Sequence, residues 1–174
     1  MNIFIAGVHG VGKTFLATQI PSDLGLCHMS ASTLIREELA MPNWGADKRV
    51  SDINRNQIAL ASAVKRYNDT GTNLLLDGHF VLLDRKGELS HLSVAVFEPL
   101  RLRAVILLET QPDIVAQRLY ERDGHEHDVI KLAEFITAER LQAQLICKEL
   151  ELELHILMAP TSKIFVEAVS NIMR

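Results

Sequence analysis

The 174-residue sequence is poor in cysteine, and its two cysteines, Cys27 and Cys147, lie far apart. This spacing predicts neither a disulfide framework nor a zinc module built on Cys-x-x-Cys pairs. No apolar run approaches the ~20 residues that a membrane-spanning helix needs, and the first residues lack the basic region of a secretion signal. From these absences we expect a cytoplasmic protein with two reduced thiols and no membrane partner.

The sequence also lacks an excess of positive charge. Its 18 Lys and Arg residues stand against 22 Asp and Glu residues, which gives a formal net charge of −4. Because a general nucleic-acid binder carries a basic surface, no nucleic-acid partner is expected. Linkers, repeats and low-complexity tracts are missing as well, and the length suits one domain with a substantial core. We therefore predict a single domain over residues 1–174.

Five short apolar runs alternate with longer segments whose apolar residues recur at helical spacing. The runs are Ile3 to Ala6, Leu26 to Met29, Leu74 to Leu76, Ala104 to Leu108 and Leu152 to Leu157. Such alternation is typical of an α/β fold in which a parallel sheet carries helices on both faces.

Capping residues indicate where several helices begin. The candidates are Ser30 or Ser32, Thr110 with Pro112 and Asp113 behind it, and Thr161 or Ser162. A further helix is predicted over residues 53–67, after a loop at 41–52 that contains proline and glycine. A turn is predicted at residues 84–90.

Residues 7–14 match the pattern G-x-x-x-x-G-K-[ST] of a phosphate-binding loop, which follows the first apolar run. Glycine lets the backbone turn its N–H groups toward phosphates, and the positive end of the following helix would face them. Lys13 would reach the β- and γ-phosphates and Thr14 would offer its hydroxyl to Mg²⁺. The residues expected to contact the nucleotide here are Gly7, His9, Gly10, Val11, Gly12, Lys13, Thr14 and Phe15. His9 occupies a variable position, and no catalytic role is assigned to it.

A second acidic element of the site is predicted at Asp77, which follows the apolar residues 74–76. The carboxyl ends of neighbouring parallel strands lie at one edge of a sheet, so this carboxylate should lie beside the phosphate loop. Together with Thr14 it would hold Mg²⁺, a hard cation that prefers oxygen ligands and keeps part of its water shell. ATP and Mg²⁺ are therefore the expected cofactors.

Nearly the whole chain resembles the nucleoside monophosphate kinases, and most closely the archaeal-type adenylate kinases. Besides the loop, the resemblance rests on residues 29–36, 75–79, 109–118 and 121–123. It implies a three-layer P-loop kinase fold with a five-stranded parallel sheet. It also implies an enzyme that transfers a phosphoryl group from ATP to a nucleoside monophosphate, with an acceptor-binding segment at about 30–70 and a short lid at about 122–128.

On the acceptor side, Arg36 lies one turn into its helix and would hold the α-phosphate of the acceptor, with Arg101 or Arg103 in support. Ser30, Asp77 and His79 are the other expected acceptor-binding residues. A packed core histidine is the alternative for His79.

On the donor side, Arg118 and Arg122 are four residues apart and project from one helix face. The resemblance implies that Arg118 packs against the adenine and that Arg122 contacts the transferring phosphoryl group. Arg140 lies on an otherwise apolar helix stripe, where it either points to the nucleotide or extends from the edge of the stripe into solvent. The resemblance further implies that the backbone at Pro160 and Thr161 contacts the donor base.

The sequence departs from the family in its lid, where His125 and His127 stand at the likely arginine positions. Neutral imidazoles supply less charge, so transfer would be slower or would accelerate as they protonate toward pH 6. A metal site at residues 125–128 is the less favoured interpretation of these histidines. Residues 31–33 also differ from the adenylate kinase pattern. Two other functions therefore stay open: a slow ATPase that acts as a nucleotide-dependent regulator, and a kinase for another small acceptor such as a nucleoside or a sugar acid.

Overall fold

The computed structural model describes residues 1–40, 52–84 and 87–174. The described strands are β1 (Asn2–Ala6), β2 (Leu26–Ser30), β3 (Asn73–Asp77), β4 (Val81–Leu83), β5 (Leu89–His91), β6 (Leu102–Glu109) and β7 (Glu153–Met158). The described α-helices are α1 (Lys13–Ala17), α2 (Ala31–Leu39), α3 (Asp52–Asp69), α4 (Val94–Phe97), α5 (Pro112–Asp123), α6 (Val129–Glu149) and α7 (Ser162–Met173).

Five of the strands form one parallel sheet in the order β2-β3-β1-β6-β7, while β4 and β5 form a separate antiparallel hairpin. The five sheet strands correspond to the five apolar runs of the sequence. The predicted α/β class and the five-stranded parallel sheet with helices on both faces are therefore confirmed.

Alternate residues of each central strand enter two separate cores, because successive strand side chains point to opposite faces. Ile3 and Ile5 of β1 pack with Phe135 and Phe165 on one face. Phe4 packs on the other face, in the cluster that contains Phe97. Burial on both faces explains why these strands read as continuous apolar runs instead of alternating ones.

The strand register brings the functional edge together. Asp77 at the end of β3 pairs with Ser30 at the end of β2 and with Ile5 of β1, which leads directly into residues 7–14. At the opposite edge, the buried Asn2 side chain donates to the Leu100 carbonyl at 2.6 Å and accepts from the Leu74 N–H at 2.8 Å.

The capping predictions hold for two of the three helix starts. The Ser30 hydroxyl accepts from the Thr33 N–H at 3.1 Å, and the Thr161 hydroxyl accepts from the Ile164 N–H at 3.3 Å. The predicted cap at Thr110 is wrong, because α5 begins at Pro112 with Gln111 as its N-cap. Proline favours this start, because the N–H that it lacks would have no partner within the helix and its φ angle already suits a helix.

Other elements were missed or lie elsewhere. The turn predicted at 84–90 lies between β4 and β5, but residues 85–86 are outside the described residues and Leu89 and Ser90 belong to β5. Neither strand was predicted, because three residues are too few for a periodic pattern. The predicted helix at 53–67 is present as α3. The loop predicted before it lies outside the described residues except for Asp52, where α3 begins. None of the helices described is long and apolar enough to cross a membrane.

The two cysteines should differ in reactivity. Cys147 is buried, and burial raises the pKa of its thiol to about 11, so only about 0.1% of it is thiolate at pH 8. Cys27 is only partly buried. Iodoacetamide at pH 8 should therefore alkylate Cys27 first in the native protein, as followed by peptide mass spectrometry. Each pH unit between 8 and 10 should raise the Cys147 rate about tenfold.

In urea both cysteines should react at similar rates, which provides the control for the intrinsic chemistry. Equal labelling of Cys27 and Cys147 in the native protein would contradict the burial of Cys147.

Candidate functional site

The loop at residues 7–14 owes its shape to glycines in conformations that other residues rarely adopt. Gly7, Gly10 and Gly12 have φ angles of 136°, 82° and 108°. A Cβ on Gly7 would also overlap the Leu108 carbonyl oxygen of the neighbouring strand. The turn from β1 into α1 thus depends on glycine both for dihedral angle and for space.

Lys13 is the first residue of α1 and is only 8% exposed. Its ammonium donates to the Gly7 carbonyl and, at 3.3 Å, to the Val8 carbonyl, so the loop curls around it. Burial lowers the pKa of Lys13 to about 8, although Asp77 and Glu139 favour its charged form. Because α1 has only five residues, the expected contribution of a helix dipole is small. Binding of an anion here would therefore depend on the loop amides and Lys13.

Asp77 lies at the end of β3 and is 7% exposed. One of its carboxylate oxygens pairs with His28 Nε2 at 2.8 Å. His28 lies on β2, and the sequence analysis did not single it out. A strand-borne histidine two residues before Ser30 was the only available signal. The contact fixes the direction in which Asp77 presents its other oxygen.

Glu139 of α6 is the most deeply buried charged group of the site, at 1% exposure. Its carboxylate accepts N–H groups from Gly7 at 3.2 Å, Phe80 at 3.0 Å and Val81 at 2.7 Å. Burial raises the pKa of Glu139, while the N–H groups of Phe80 and Val81 act in the opposite direction. One carboxylate thereby joins α6 to the phosphate loop and to the segment after β3.

His79 is the predicted acceptor-side histidine, and its ring is mostly buried. Burial, followed by the charge of Lys13, lowers the pKa of His79 to about 2, so the ring is neutral. Its Nδ1 lies 3.8 Å from the Glu139 carboxylate, beyond hydrogen-bond range. The His9 ring packs on it with centroids 4.3 Å apart. His79 is therefore a packed neutral ring at the edge of the site.

Several of the predicted residues meet in one cavity of about 680 Å³, here termed the central cleft. Its walls come from the phosphate loop, the end of β3, α2, α3 and α4. The predicted site residues that line it are His9, Gly10, Gly12, Lys13, Thr14, Phe15, Ser30, Asp77, His79 and Arg122. The structure therefore brings the loop, the carboxylate and the acceptor-side serine to one place.

Two predicted arginines of α5 have hydrogen-bond partners within the protein. Arg118 donates to the loop carbonyls of Gly10 at 3.3 Å and Val11 at 3.2 Å. Arg122 makes two hydrogen bonds with Asp123, at 2.7 and 2.6 Å.

Arg140 pairs through two nitrogens with Glu109, a buried carboxylate at the end of β6. This pair explains the charge on an apolar helix stripe. Sequence reasoning had no way to find Glu109 as the partner, since the two residues are 31 positions apart.

The remaining predicted residues lie apart from the cleft. Arg36 is exposed and is not among the described residues that line the cleft. The suggested support from Arg101 or Arg103 is wrong, because Arg101 precedes β6 and Arg103 is its second residue, whereas the site lies at the strand's carboxyl end. Pro160 and Thr161 follow β7 at the site edge, where the Ala159 N–H donates to the Glu109 carbonyl at 2.7 Å.

The lid predicted at 122–128 begins inside α5, which ends at Asp123. Asp128 caps α6 by accepting the N–H groups of Ile130 at 2.9 Å and Lys131 at 3.3 Å. In residues 1–40, 52–84 and 87–174, no group of three or more His, Cys, Asp or Glu side chains could hold a metal ion. The roles of His125 and His127 stay predictions.

The residues present fit a nucleoside triphosphate with Mg²⁺. The glycine turns shape a loop that curls around a buried ammonium. Thr14 and Asp77, both in the central cleft, supply the oxygen ligands that Mg²⁺ prefers. Phosphate and metal could thus be held side by side.

Comparisons with known proteins agree with this fold. A family model described as an AAA domain matches residues 6–135. A gluconokinase structure from Sinorhizobium meliloti has a TM-score of 0.56 and 14% identity, covering 99% of this chain and 90% of its own. A Janibacter sugar kinase structure has a TM-score of 0.57 and 18% identity, covering 98% and 92%.

A third structure, an uncharacterized protein from Eubacterium ventriosum, has a TM-score of 0.56 and 10% identity over 99% of this chain and 98% of its own. A search of curated proteins found no match. The P-loop kinase fold is thus confirmed. The narrower resemblance to archaeal-type adenylate kinases stays a prediction.

Replacing Glu139 tests the buried contact between α6 and the loop. In Glu139→Gln an amide NH₂ takes the place of one acceptor oxygen and faces backbone N–H groups, so a buried donor loses its partner. We expect the free energy of unfolding in urea to fall by about 2 kcal/mol or more. Glu134→Gln, an exposed position on the same helix, is the matched control and should change it by less than about 0.5 kcal/mol. Equal stability of the two variants would refute the role of Glu139.

Proposed function

Because the chain belongs to the AAA domain family, and because its phosphate loop lines the central cleft, we propose that it is a P-loop small-molecule kinase. It transfers the γ-phosphoryl group of ATP to a small acceptor bound in the central cleft. The reaction needs ATP with Mg²⁺ as donor and one small molecule as acceptor.

One observation carries this proposal. The buried Lys13 ammonium lies inside a loop of left-handed glycines and shares the central cleft with the Asp77 carboxylate. A loop that only joined a strand to a helix would have no need of a buried cation, since burial of a charge costs free energy. A bound polyphosphate accounts for the buried cation.

Each residue then has a defined task. The loop amides and Lys13 bind the polyphosphate, and Arg122 at the cleft wall stabilises charge on the transferring group. When bound by Thr14 and Asp77, Mg²⁺ would neutralise phosphate charge. His28 orients Asp77 through its 2.8 Å contact, and Ser30 lies where the acceptor would enter. Catalysis consists of positioning and charge neutralisation, with no covalent enzyme intermediate.

A nucleoside monophosphate is the acceptor that the sequence suggests, and Arg36 is the residue expected to hold its phosphate. The exposed position of Arg36 gives this part little support. Two of the similar structures are sugar kinases. Acceptors other than a nucleoside monophosphate should therefore be tested as well. The proposed function is therefore phosphoryl transfer to a small molecule, without a named acceptor.

A slow ATPase with a regulatory role is the competing function. It is favoured by the pairing of Arg122 and Arg140 with Asp123 and Glu109, since neither guanidinium is free in this state to stabilise a transferring phosphoryl group. An acceptor-dependent assay separates the two functions.

The test is a coupled assay of ADP release with ATP and Mg²⁺ against a panel of small acceptors. At least one acceptor should raise ADP release clearly above the acceptor-free rate. Lys13→Ala should lower turnover about 100-fold or more, because a charge that stabilises the transferring phosphates is removed. Lys163→Ala is the matched control, since that lysine is exposed on α7 and pairs only loosely with Glu167 at 4.0 Å.

ADP release that ignores every acceptor would favour the ATPase. If the folded protein shows no magnesium-dependent binding of ATP by calorimetry at millimolar concentration, both functions are excluded.

A further inference from the structure

The phosphate loop carries a histidine for which the sequence suggests no catalytic task. His9 lies between Gly7 and Gly10. Its side chain forms part of the wall of the central cleft and is exposed. Glycines alone account for the turn of the loop, so the turn does not require a large polar side chain at this position. A ring in the cleft wall can contact a molecule that lies beside the bound phosphates.

The His9 ring is held in position by its neighbours. It packs on the His79 ring, with centroids 4.3 Å apart and planes tilted by 50°. Glu139 fixes the segments that carry both rings, because it accepts the N–H groups of Gly7 at 3.2 Å and Phe80 at 3.0 Å. The His9 ring is therefore preorganised, as a side chain that takes part in a reaction must be.

Charged groups of the proposed transfer site act on the His9 ring from several elements. Partial burial lowers the pKa of His9 below its ordinary value of 6.5, and the charges of Lys13 and Arg122 lower it further. Asp77 and Asp123 act in the opposite direction. The ring is therefore neutral at pH 7, and it lies close enough to the loop ammonium and to the cleft arginine to feel both charges.

A neutral imidazole has a nitrogen lone pair that can accept a proton. Within the described part of the chain, no group forms a hydrogen bond with the His9 ring. The described carboxylate and the other described imidazole of the cleft wall are less suited. Asp77 is paired with His28 at 2.8 Å, and the pKa of His79 is lowered to about 2, mainly by burial.

We propose that His9 is the general base of the transfer. One ring nitrogen accepts the proton of the O–H group that attacks the γ-phosphorus of ATP, as positioned histidines do in other enzymes. This inference rests on the proposed kinase function and adds a proton transfer to it. It also names the acceptor class as an alcohol, because the ionised phosphate of a nucleoside monophosphate has no proton to lose.

The step balances as follows. The hydroxyl oxygen of the acceptor forms a bond to the γ-phosphorus, and the bond from that phosphorus to the β,γ-bridging oxygen breaks. Its electron pair leaves with ADP, and the hydroxyl proton passes to His9. The imidazolium returns this proton to water once the products have left. Without an acceptor, water attacks in the same way and phosphate is formed.

The first experiment compares His9→Gln and His9→Ala with the wild-type protein in the coupled assay of ADP release. The nucleophile is water alone, then a panel of gluconate, the common ribonucleosides and their 5′-monophosphates. Glutamine keeps a polar side chain but is not basic, so both variants should be slower than wild type by about 100-fold or more. The Kd of ADP with Mg²⁺, measured by calorimetry, should stay within about threefold, since Lys13 and the loop amides are unchanged.

His155→Gln is the matched control. This histidine lies on β7, where its ring contacts Glu153 at 3.2 Å, and it is not among the described residues that line the cleft. The change should leave ADP release and nucleotide binding as they are in the wild type.

The pH profile tests the proton transfer itself. Only neutral imidazole accepts a proton, so wild-type kcat should fall as pH decreases through the pKa of His9. Bound ATP favours the imidazolium and raises this pKa again, which puts the fall between about pH 5 and 7. His9→Gln should lack it. The direction is opposite to the acceleration toward pH 6 expected if His125 and His127 supply charge.

The outcomes separate the two proposals. If ATP is not bound, or is bound and never turned over, the kinase function fails and this inference fails with it. If ATP is turned over and His9→Gln is as fast as the wild type, or keeps the fall at acid pH, the inference alone is overturned. A nucleoside diphosphate as the main product, identified by mass spectrometry, also overturns it.

Discussion

The buried carboxylate of Glu139 is the contact on which the site's geometry depends. It accepts backbone N–H groups from the phosphate loop at Gly7 and from Phe80 and Val81 after β3. An ionised group at 1% exposure is stable only when its hydrogen-bonding capacity is filled. The loop and the segment after β3 must therefore keep their positions relative to α6, or leave a buried charge without partners.

This constraint connects the phosphate loop to the aromatic core on one face of the sheet. Phe80, whose N–H is held by Glu139, stacks on Phe97 and meets Phe4 edge-on in that core. The same carboxylate holds Gly7, where the loop begins, and favours the charged form of Lys13. The position of the loop is therefore tied to the packing of the core through one residue of α6.

The fold could be predicted from the sequence, and so could the placing of the glycine loop beside Asp77, because these features rest on local patterns. Strand runs, the glycine spacing and the Ser30 cap each depend on residues close together in the chain. The partners that hold the site do not: His28 is 49 positions from Asp77, and Glu139 is 59 from Phe80. A buried acidic residue within a helix gives no local sign of which distant N–H groups it will accept.

The partners of the donor-side arginines decide which of them can turn to a nucleotide. Arg122 pairs with Asp123 at the surface, where solvent screens the attraction and such a pair adds little stability. Arg140 pairs with Glu109, which is buried. If Arg140 moved away, the Glu109 carboxylate would stay buried without an opposite charge, which is unfavourable. We therefore expect Arg122 to exchange its partner for a phosphate while Arg140 stays on Glu109 and fixes α6 to the end of β6. A phosphate bound in the loop would also lie beside Lys13. Its negative charge would favour the charged ammonium and so offset the burial that lowers the pKa of Lys13.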